Sequence, residues 1–244
     1  MLKRAVDVVV AASALVVLAV PFVVIAVLVV LDSRGPVFYR AERVGYQGRR
    51  LRMLKFRKMH ADAKGGALTT AEDERLTRLG RWLVRTHLDE LPQLWHVLTG
   101  EMSLVGPRPE SPTFVALYPD DYAVILQVRP GLTGFTQLAY AREGAILDPQ
   151  DPRTHYLSSV MPQKVALDRL YASRPSFVRD IKIMIATAMT LAGQPIAVNR
   201  ATGALTLRRR PEPGPGGRAA TGGDTSRPGD AGDRSNAEPR RRRT

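Results

Sequence analysis

The 244-residue chain contains no cysteine. That removes disulfides, a cysteine nucleophile and thiolate metal sites, and it fits a reducing compartment. Histidine is scarce too: His60, His87, His96 and His155 are all there are, and none forms an HExxH pair. Walker loops and GxGxxG turns are absent, which argues against zinc hydrolases, P-loop enzymes and Rossmann oxidoreductases. Acids are outnumbered by bases, 23 against 36, for a formal net charge of +13. From Arg208 to Thr244, 10 arginines stand against 5 acids, so the tail carries +5 and the body about +8. A basic body suits anionic partners such as phosphorylated substrates, lipid headgroups or nucleic acid.

Charge is missing altogether from Val8 to Leu31, "VVVAASALVVLAVPFVVIAVLVVL", 24 residues of transmembrane length. The run is too long for a cleavable signal peptide, and no small-residue cleavage site follows it. Pro21 interrupts it. In a helix interior proline removes one hydrogen bond and clashes with the preceding turn. The two halves, roughly 20 Å and 15 Å of helix, are each shorter than a bilayer core of about 30 Å. Both flanks are basic, Lys3 and Arg4 before, Arg34, Arg40 and Arg43 after, so charge gives no side asymmetry. A re-entrant helical hairpin kinked at Pro21 and a single kinked spanning helix both satisfy these facts.

"PVFYRAERVGYQGRRLRMLKFRKM" reads as a β-hairpin around the turn Gly45-Tyr46-Gln47-Gly48. "ADAKGGALTTAEDE" reads as a loop. In "ERLTRLGRWLVRT", Leu76, Leu79 and Leu83 recur at helical spacing while Arg75, Arg78, Arg81 and Arg85 line much of the remainder. Such a helix suits an anionic membrane surface, or a soluble protein with a solvated charged face. Two more helices are expected over "PQKVALDRLYAS" and "SFVRDIKIMIATAMTLA". From Arg208 the composition collapses to Arg, Pro, Gly, Ser and Asp, the signature of disorder.

"HLDELPQLWHVLTGEMSLVGPRPE" places two carboxylates side by side. Leu91, Leu94, Trp95 and Leu98 predict a buried helical stripe, with Pro92 in the first turn, Gly100 as terminator and Asp89 at or next to the N-cap. Asp followed by Glu is an ordinary helix start. It is also a usable reaction centre: an aspartate carboxylate can attack phosphorus to form an acyl-phosphate, and a neighbouring glutamate can hold a divalent cation. Cations nearby favour the second reading. Arg108 is held between two prolines in "GPRP", a guanidinium suited to bidentate contact with phosphate. Arg129 stands beside glycines in "VRPGLTG", and Lys55, Arg57 and Arg85 complete the set of candidate phosphate ligands.

The ordered series "KRAVD", "SRGPVFYR", "RVGYQG", "LKFRKM", "LTRLGRWLVRTHLDELPQLWHVLTGEMSLVGPRPE" and "RPGLTGFTQ" resembles the bacterial sugar transferase family, the monotopic polyprenyl-phosphate phosphoglycosyl transferases, from about Lys3 to Ala192. The resemblance implies the re-entrant form of the hairpin. It implies a UDP-sugar donor, undecaprenyl phosphate as acceptor, Mg²⁺ as cofactor, and the cytoplasmic face of the bacterial inner membrane, with no nucleic acid partner. It makes Asp89 the nucleophile that carries a phosphosugar, Glu90 the metal carboxylate and Arg108 a phosphate ligand. The chain starts at the catalytic core and so resembles the minimal form of the family. Some positions depart from the common pattern: His96 stands where Asn is frequent, His87 where Ser or Thr is usual, Val20 where some members have Ser, and Lys58 where a small residue is frequent. His96 reads as a packing residue rather than a base.

The expected fold is α+β: a mainly helical, membrane-associated catalytic domain with an N-terminal re-entrant hairpin, a small β-hairpin and amphipathic interfacial helices. The expected segments are residues 1–34 in the membrane, 35–207 as the catalytic domain and 208–244 as a disordered tail. The competing class is a non-enzymatic, membrane-anchored protein that binds nucleic acid or anionic lipid through its charge. That reading leaves Asp89, Glu90 and Arg108 without a purpose, and the aromatics do not interleave with the basic patches as stacking platforms would.

Overall fold

A computed structural model describes residues 1–63, 65, 73–141, 146–148, 150–194 and 196–207, all within one unit, Met1–Arg208. The centre of the loop after His60 and the tail from Arg208 lie outside the described residues.

The apolar N-terminal run folds as two helices, α1 (Leu2–Val17) and α2 (Ala19–Asp32), bent by 62° at Leu18. The bend lies one turn ahead of Pro21, as the chemistry requires: the proline has no N–H for the Val17 carbonyl four residues back, and its ring crowds that carbonyl. Leu18 N–H still reaches Ala14 O at 2.8 Å, and Phe22 N–H resumes the ladder on Leu18 O at 2.8 Å. No single helix among the described residues is long and apolar enough to cross a membrane; only the bent pair taken together reaches that length and composition. Val20, Val23, Val27 and Leu31 on α2 are more than half exposed.

Lys3 and Arg4, which the sequence offers as a free basic flank, are half-buried and bonded to later parts of the chain. Arg4 donates to Val97 O and Leu98 O at 2.5 and 2.9 Å, and Lys3 to Val105 O at 3.0 Å and Asp180 Oδ2 at 2.6 Å. Buried Asp7 accepts Ser103 Oγ at 2.8 Å and Leu104 N–H at 3.1 Å. The polar start of α1 is thus fastened to the elements that follow the carboxylate pair.

Strands β1 (Phe38–Val44) and β2 (Arg50–Phe56) pair antiparallel, Phe38 opposite Phe56 and Val44 opposite Arg50, around the expected turn, where Gln47 and Gly48 take φ of 55° and 75°. Phe56, with Ile25, Val29 and Leu83, forms a small core that joins α2, the hairpin and α3 (Arg78–Thr86). Each such buried side chain contributes about 1.5–3 kcal/mol. Thr77 caps α3 by accepting Gly80 N–H at 2.9 Å. Leu76 and Leu83 turn inward; Arg78, Arg81 and Arg85 turn outward, as the spacing predicts. Arg75 departs from that stripe and pairs with Asp73 at 2.6 Å.

The carboxylate segment differs from its sequence reading. His87, at φ 57°, ends α3 and starts a 3-10 helix, Leu88–Gln93, which then passes into α4 (Leu94–Thr99). His87, not Asp89, occupies the N-cap position. The tighter 3-10 turn also rotates the stripe: Leu94, His96 and Val97 are buried, while Trp95 is 54% exposed. Gly100 terminates α4 with φ 88°, as expected. His96 links elements by packing: its Nε2 accepts Leu54 N–H at 3.1 Å and its Nδ1 lies 2.7 Å from Glu101 Oε2.

Beyond α4, β3 (Ser103–Val105) runs parallel to β4 (Gly131–Thr133). Short helices α5 (Pro112–Val115) and α6 (Pro119–Ile125) fill the crossover. Helix α7 (Phe135–Ala139) follows β4, and after α8 (Pro152–His155) and a π-helical turn (Tyr156–Val160) comes α9 (Met161–Ser173), then α10 (Phe177–Leu191). A last hairpin pairs β5 (Ile196–Val198) with β6 (Leu205–Leu207). The main core lies among β2, α4, β3, α6, α7, α9 and α10. The described residues are therefore α+β, helices around three two-stranded sheets.

Candidate active site

Three segments converge on the carboxylate pair. Strand β2 packs against the 3-10 helix and supplies Lys55. Strand alternation puts Lys55 on the same inward side as Leu51 and Met53, so an ammonium enters the interior. Glu90 Oε1 accepts Lys55 Nζ at 2.7 Å and Arg108 Nη2 at 2.7 Å, and Arg108 Nη1 stands 3.4 Å from Glu90 Oε2. Asp89 Oδ2 accepts Lys58 Nζ at 3.1 Å. Its other oxygen, Oδ1, takes no hydrogen bond from any described residue. Asp89 is nearly enclosed, its side chain 4% exposed, whereas Arg108 and Lys58 are 25% and 22% exposed and form the open side. Three cations facing two carboxylates leave a local surplus of one positive charge, which favours an arriving anion.

Electrostatics hold the pair together. Burial opposes the charged form of Glu90 and is the largest single influence, yet Arg108 and Lys55 outweigh it and keep its carboxyl well below the usual range. Burial lowers the Lys55 pKa from its ordinary value; Glu90 opposes that fall, and Arg108 and Lys58 add to it.

Arg108 reaches Glu90 because its loop is clamped. Gly131 N–H donates to Pro107 O at 2.8 Å and Gly106 N–H to Thr133 O at 2.9 Å. The two glycines touch backbone to backbone: a Cβ on Gly131 would come 2.0 Å from Gly106 N. The glycines beside Arg129 thus admit protein backbone. Behind the loop, Asp168 on α9 accepts Thr136 Oγ1 at 2.5 Å, and the nearby Arg108 backbone N–H favours its charged form. Burial pushes the Asp168 carboxyl up to about 7. Next to it, Lys164 Nζ donates to Glu110 Oε1 at 3.1 Å and to Tyr156 OH at 2.8 Å. Burial works against ionised Glu110, but Lys164, together with Arg43 and Arg108, outweighs it and lowers that pKa.

Of the residues named from sequence, the structure brings together Asp89, Glu90, Lys55 and Arg108. Arg57 lies elsewhere: its guanidinium caps α2, donating to Arg34 O, to Ser33 O at 2.6 Å and to Val29 O at 3.3 Å. Arg129 Nε donates to Gly100 O at 2.9 Å, and its guanidinium stands 5.1 Å over the Tyr46 ring. Arg85 is exposed in the last turn of α3 and bonds neither carboxylate. Sequence reasoning missed the support on α9. Lys164 and Asp168 are spaced i, i+4, which by itself is an ordinary surface pair, and only the apolar residues around them mark the face as buried. Among the described residues no three His, Cys, Asp or Glu side chains converge as a metal cluster.

Residues 1–194 match the family model described as bacterial sugar transferase. The chain belongs to the bacterial sugar transferase family. Similar members include a UDP-glucose:undecaprenyl-phosphate glucose-1-phosphate transferase of Caulobacter vibrioides, 39% identical over 78% of this chain and 69% of its own. A Komagataeibacter xylinus undecaprenyl-phosphate glucose phosphotransferase is 38% identical over 76% of this chain, which covers only 35% of that longer protein. The exopolysaccharide production protein PSS of Rhizobium leguminosarum is 37% identical over 78% of this chain and 94% of its own. The family match takes in the whole of the Asp89, Glu90, Lys55 and Arg108 cluster.

Proposed function

We propose that this sugar transferase moves a sugar 1-phosphate from a UDP-sugar to undecaprenyl phosphate and releases UMP, through a phosphosugar carried on Asp89. The names of its relatives support the reaction class: they act on undecaprenyl phosphate and, in the Caulobacter protein, on UDP-glucose. The observation that carries the assignment to residues is the carboxylate pair itself. Asp89 keeps one oxygen that takes no hydrogen bond from any described residue, beside cations that can meet a diphosphate.

The chemistry balances without a proton transfer. An Asp89 oxygen attacks the phosphorus that bears the sugar, the bond from that phosphorus to the bridging oxygen breaks, and UMP leaves as its dianion. A phosphate oxygen of undecaprenyl phosphate then attacks the same phosphorus, and the Asp89 carboxylate leaves. Arg108, with its fork of donors, and Lys55 are the side chains to neutralise charge on the diphosphate. Their present partner, Glu90, would exchange part of that contact for the incoming substrate.

Mg²⁺ is part of the same proposal. Glu90 Oε2 has only a long contact to Arg108, so it retains acceptor capacity. The other ligands would come from the diphosphate and water, the usual habit of this ion. The metal would neutralise phosphate charge; Glu90 would orient it. The bent α1–α2 pair, with its exposed valines, would lie in the cytoplasmic leaflet of the inner membrane as a re-entrant hairpin. That would hold the site at the depth of the acceptor's phosphate. The product would start a lipid-linked exopolysaccharide, capsule or other glycan. The test is UMP release by the purified protein in detergent, across a panel of UDP-sugars, with and without undecaprenyl phosphate and Mg²⁺. Acceptor-dependent release with one UDP-sugar is expected; no release with any of them would refute the proposal.

A further inference from the structure

We infer that Lys58 is a positioning residue for the nucleophile: it holds Asp89 Oδ2 so that Oδ1 is the oxygen that attacks, and it then eases departure of the carboxylate in the second step. The inference rests on the proposed reaction and extends it to a residue outside the expected site.

Lys58 lies just past the end of β2, and its backbone is fixed independently of its side chain. Its carbonyl accepts Thr77 N–H at 3.0 Å. The start of α3 also presses on that carbonyl, since a Cβ at Gly80 would sit 1.9 Å from the Lys58 oxygen. The ammonium is delivered to Asp89 Oδ2 at 3.1 Å from this anchored base, at the edge of the site, with its side chain 22% exposed. Lys58 therefore divides the two carboxylate oxygens by function. A charge-assisted bond occupies one of them and leaves the other available.

In the phosphosugar intermediate, Oδ1 carries phosphorus and Oδ2 becomes the carbonyl oxygen. An ammonium on that oxygen withdraws electron density from the acyl group. When an acceptor phosphate oxygen bonds to phosphorus and the Oδ1–phosphorus bond breaks, the electron pair returns to the carboxylate. Lys58 meets the restored negative charge. One side chain thus orients the first step and stabilises the leaving group of the second.

The two steps can be read apart. Exchange of labelled UMP into UDP-sugar without acceptor reports the first; release of label from isolated phosphosugar-enzyme by undecaprenyl phosphate reports the second. Lys58→Gln should slow both by roughly 10- to 100-fold, the worth of a charged hydrogen bond at the transition state. Affinity for UMP should stay within about twofold. Lys58→Arg should recover most of both rates, because it restores a cation beside Oδ2. A merely structural lysine would lower thermal stability in Lys58→Gln without this separation of rate from affinity, and Arg would not rescue it selectively. Full exchange and chase rates in folded Lys58→Gln overturn the inference while leaving the reaction standing. A wild-type protein that exchanges no UMP with any UDP-sugar overturns the reaction and the inference with it.

Discussion

Asp168→Asn should make the protein less sensitive to alkaline pH, by an amount that follows from the burial of that carboxyl. In the folded protein burial raises its pKa from 3.8 to about 7, against the Thr136 hydroxyl, Lys164 and the Arg108 N–H, which favour the charged form. Below pH 4 both folded and unfolded chains hold the proton, and the folded state bears no penalty from this group. Between about pH 4 and 7 the unfolded chain releases the proton while the folded one keeps it, so stability falls as pH rises. Above 7 the loss is complete. At about 1.4 kcal/mol per pKa unit, the difference between pH 5 and pH 8 is on the order of 3 kcal/mol. Asparagine cannot ionise, and its amide oxygen can still accept Thr136 Oγ1. Urea unfolding of wild-type and Asp168→Asn protein in detergent, followed by far-UV circular dichroism at pH 5 and pH 8, measures the difference. The variant's relative stability should rise by roughly 3 kcal/mol between the two pH values. A stability difference that does not change with pH would refute the reasoning and mean that Asp168 is already ionised in the folded protein at pH 5.

Arg108→Lys should lower turnover roughly 100-fold despite the retained charge, because an ammonium cannot reproduce a guanidinium fork on phosphate or carboxylate; steady-state UMP release checks it, and a wild-type rate would reduce Arg108 to loop support. Gly131→Ala should destabilise the protein by several kcal/mol, since the new methyl would meet the Gly106 backbone nitrogen at 2.0 Å and a backbone cannot swing aside as a side chain can; denaturant midpoints measure this. Pro21→Leu should restore an unbroken apolar run of roughly 36 Å, long enough to span, and move the N-terminus outward. Because the native chain has no cysteine, a single cysteine at position 2 and an impermeant thiol reagent report the change in intact cells. Wild-type labelling from outside would favour a spanning helix over a re-entrant one.

Local chemistry was readable from the sequence wherever one residue type dictates it. Pro21 foretold a break in the apolar run, Gly45-Tyr46-Gln47-Gly48 a turn, Gly100 a helix end, and Asp89-Glu90 with Arg108 the heart of the candidate site. Pairings between distant segments left no such trace. Strands β3 and β4 are three residues each, too short for a periodic pattern, yet their parallel pairing sets Arg108 against Glu90. The 3-10 helix looked like the first turn of α4, because Leu91 and Leu94 fit either period; the left-handed His87 that starts it carries no glycine to betray it. Arg57 and Arg129 looked like phosphate ligands because a basic residue near a glycine or a helix end has the same appearance whether it meets an anion or a carbonyl. Lys58, Lys164 and Asp168 acquire their partners only on folding.

In the proposed reaction Asp89 becomes covalently linked to the donor's sugar phosphate. Incubation with the preferred UDP-sugar and Mg²⁺ in the absence of acceptor, followed by rapid denaturation, proteolysis and mass spectrometry of the peptide containing Asp89, measures that linkage directly. A mass increase equal to the sugar phosphate is expected on Asp89, removed by undecaprenyl phosphate before quenching and absent from Asp89→Asn. Acceptor-dependent UMP release with no adduct on Asp89, or an adduct that persists in Asp89→Asn, would contradict it.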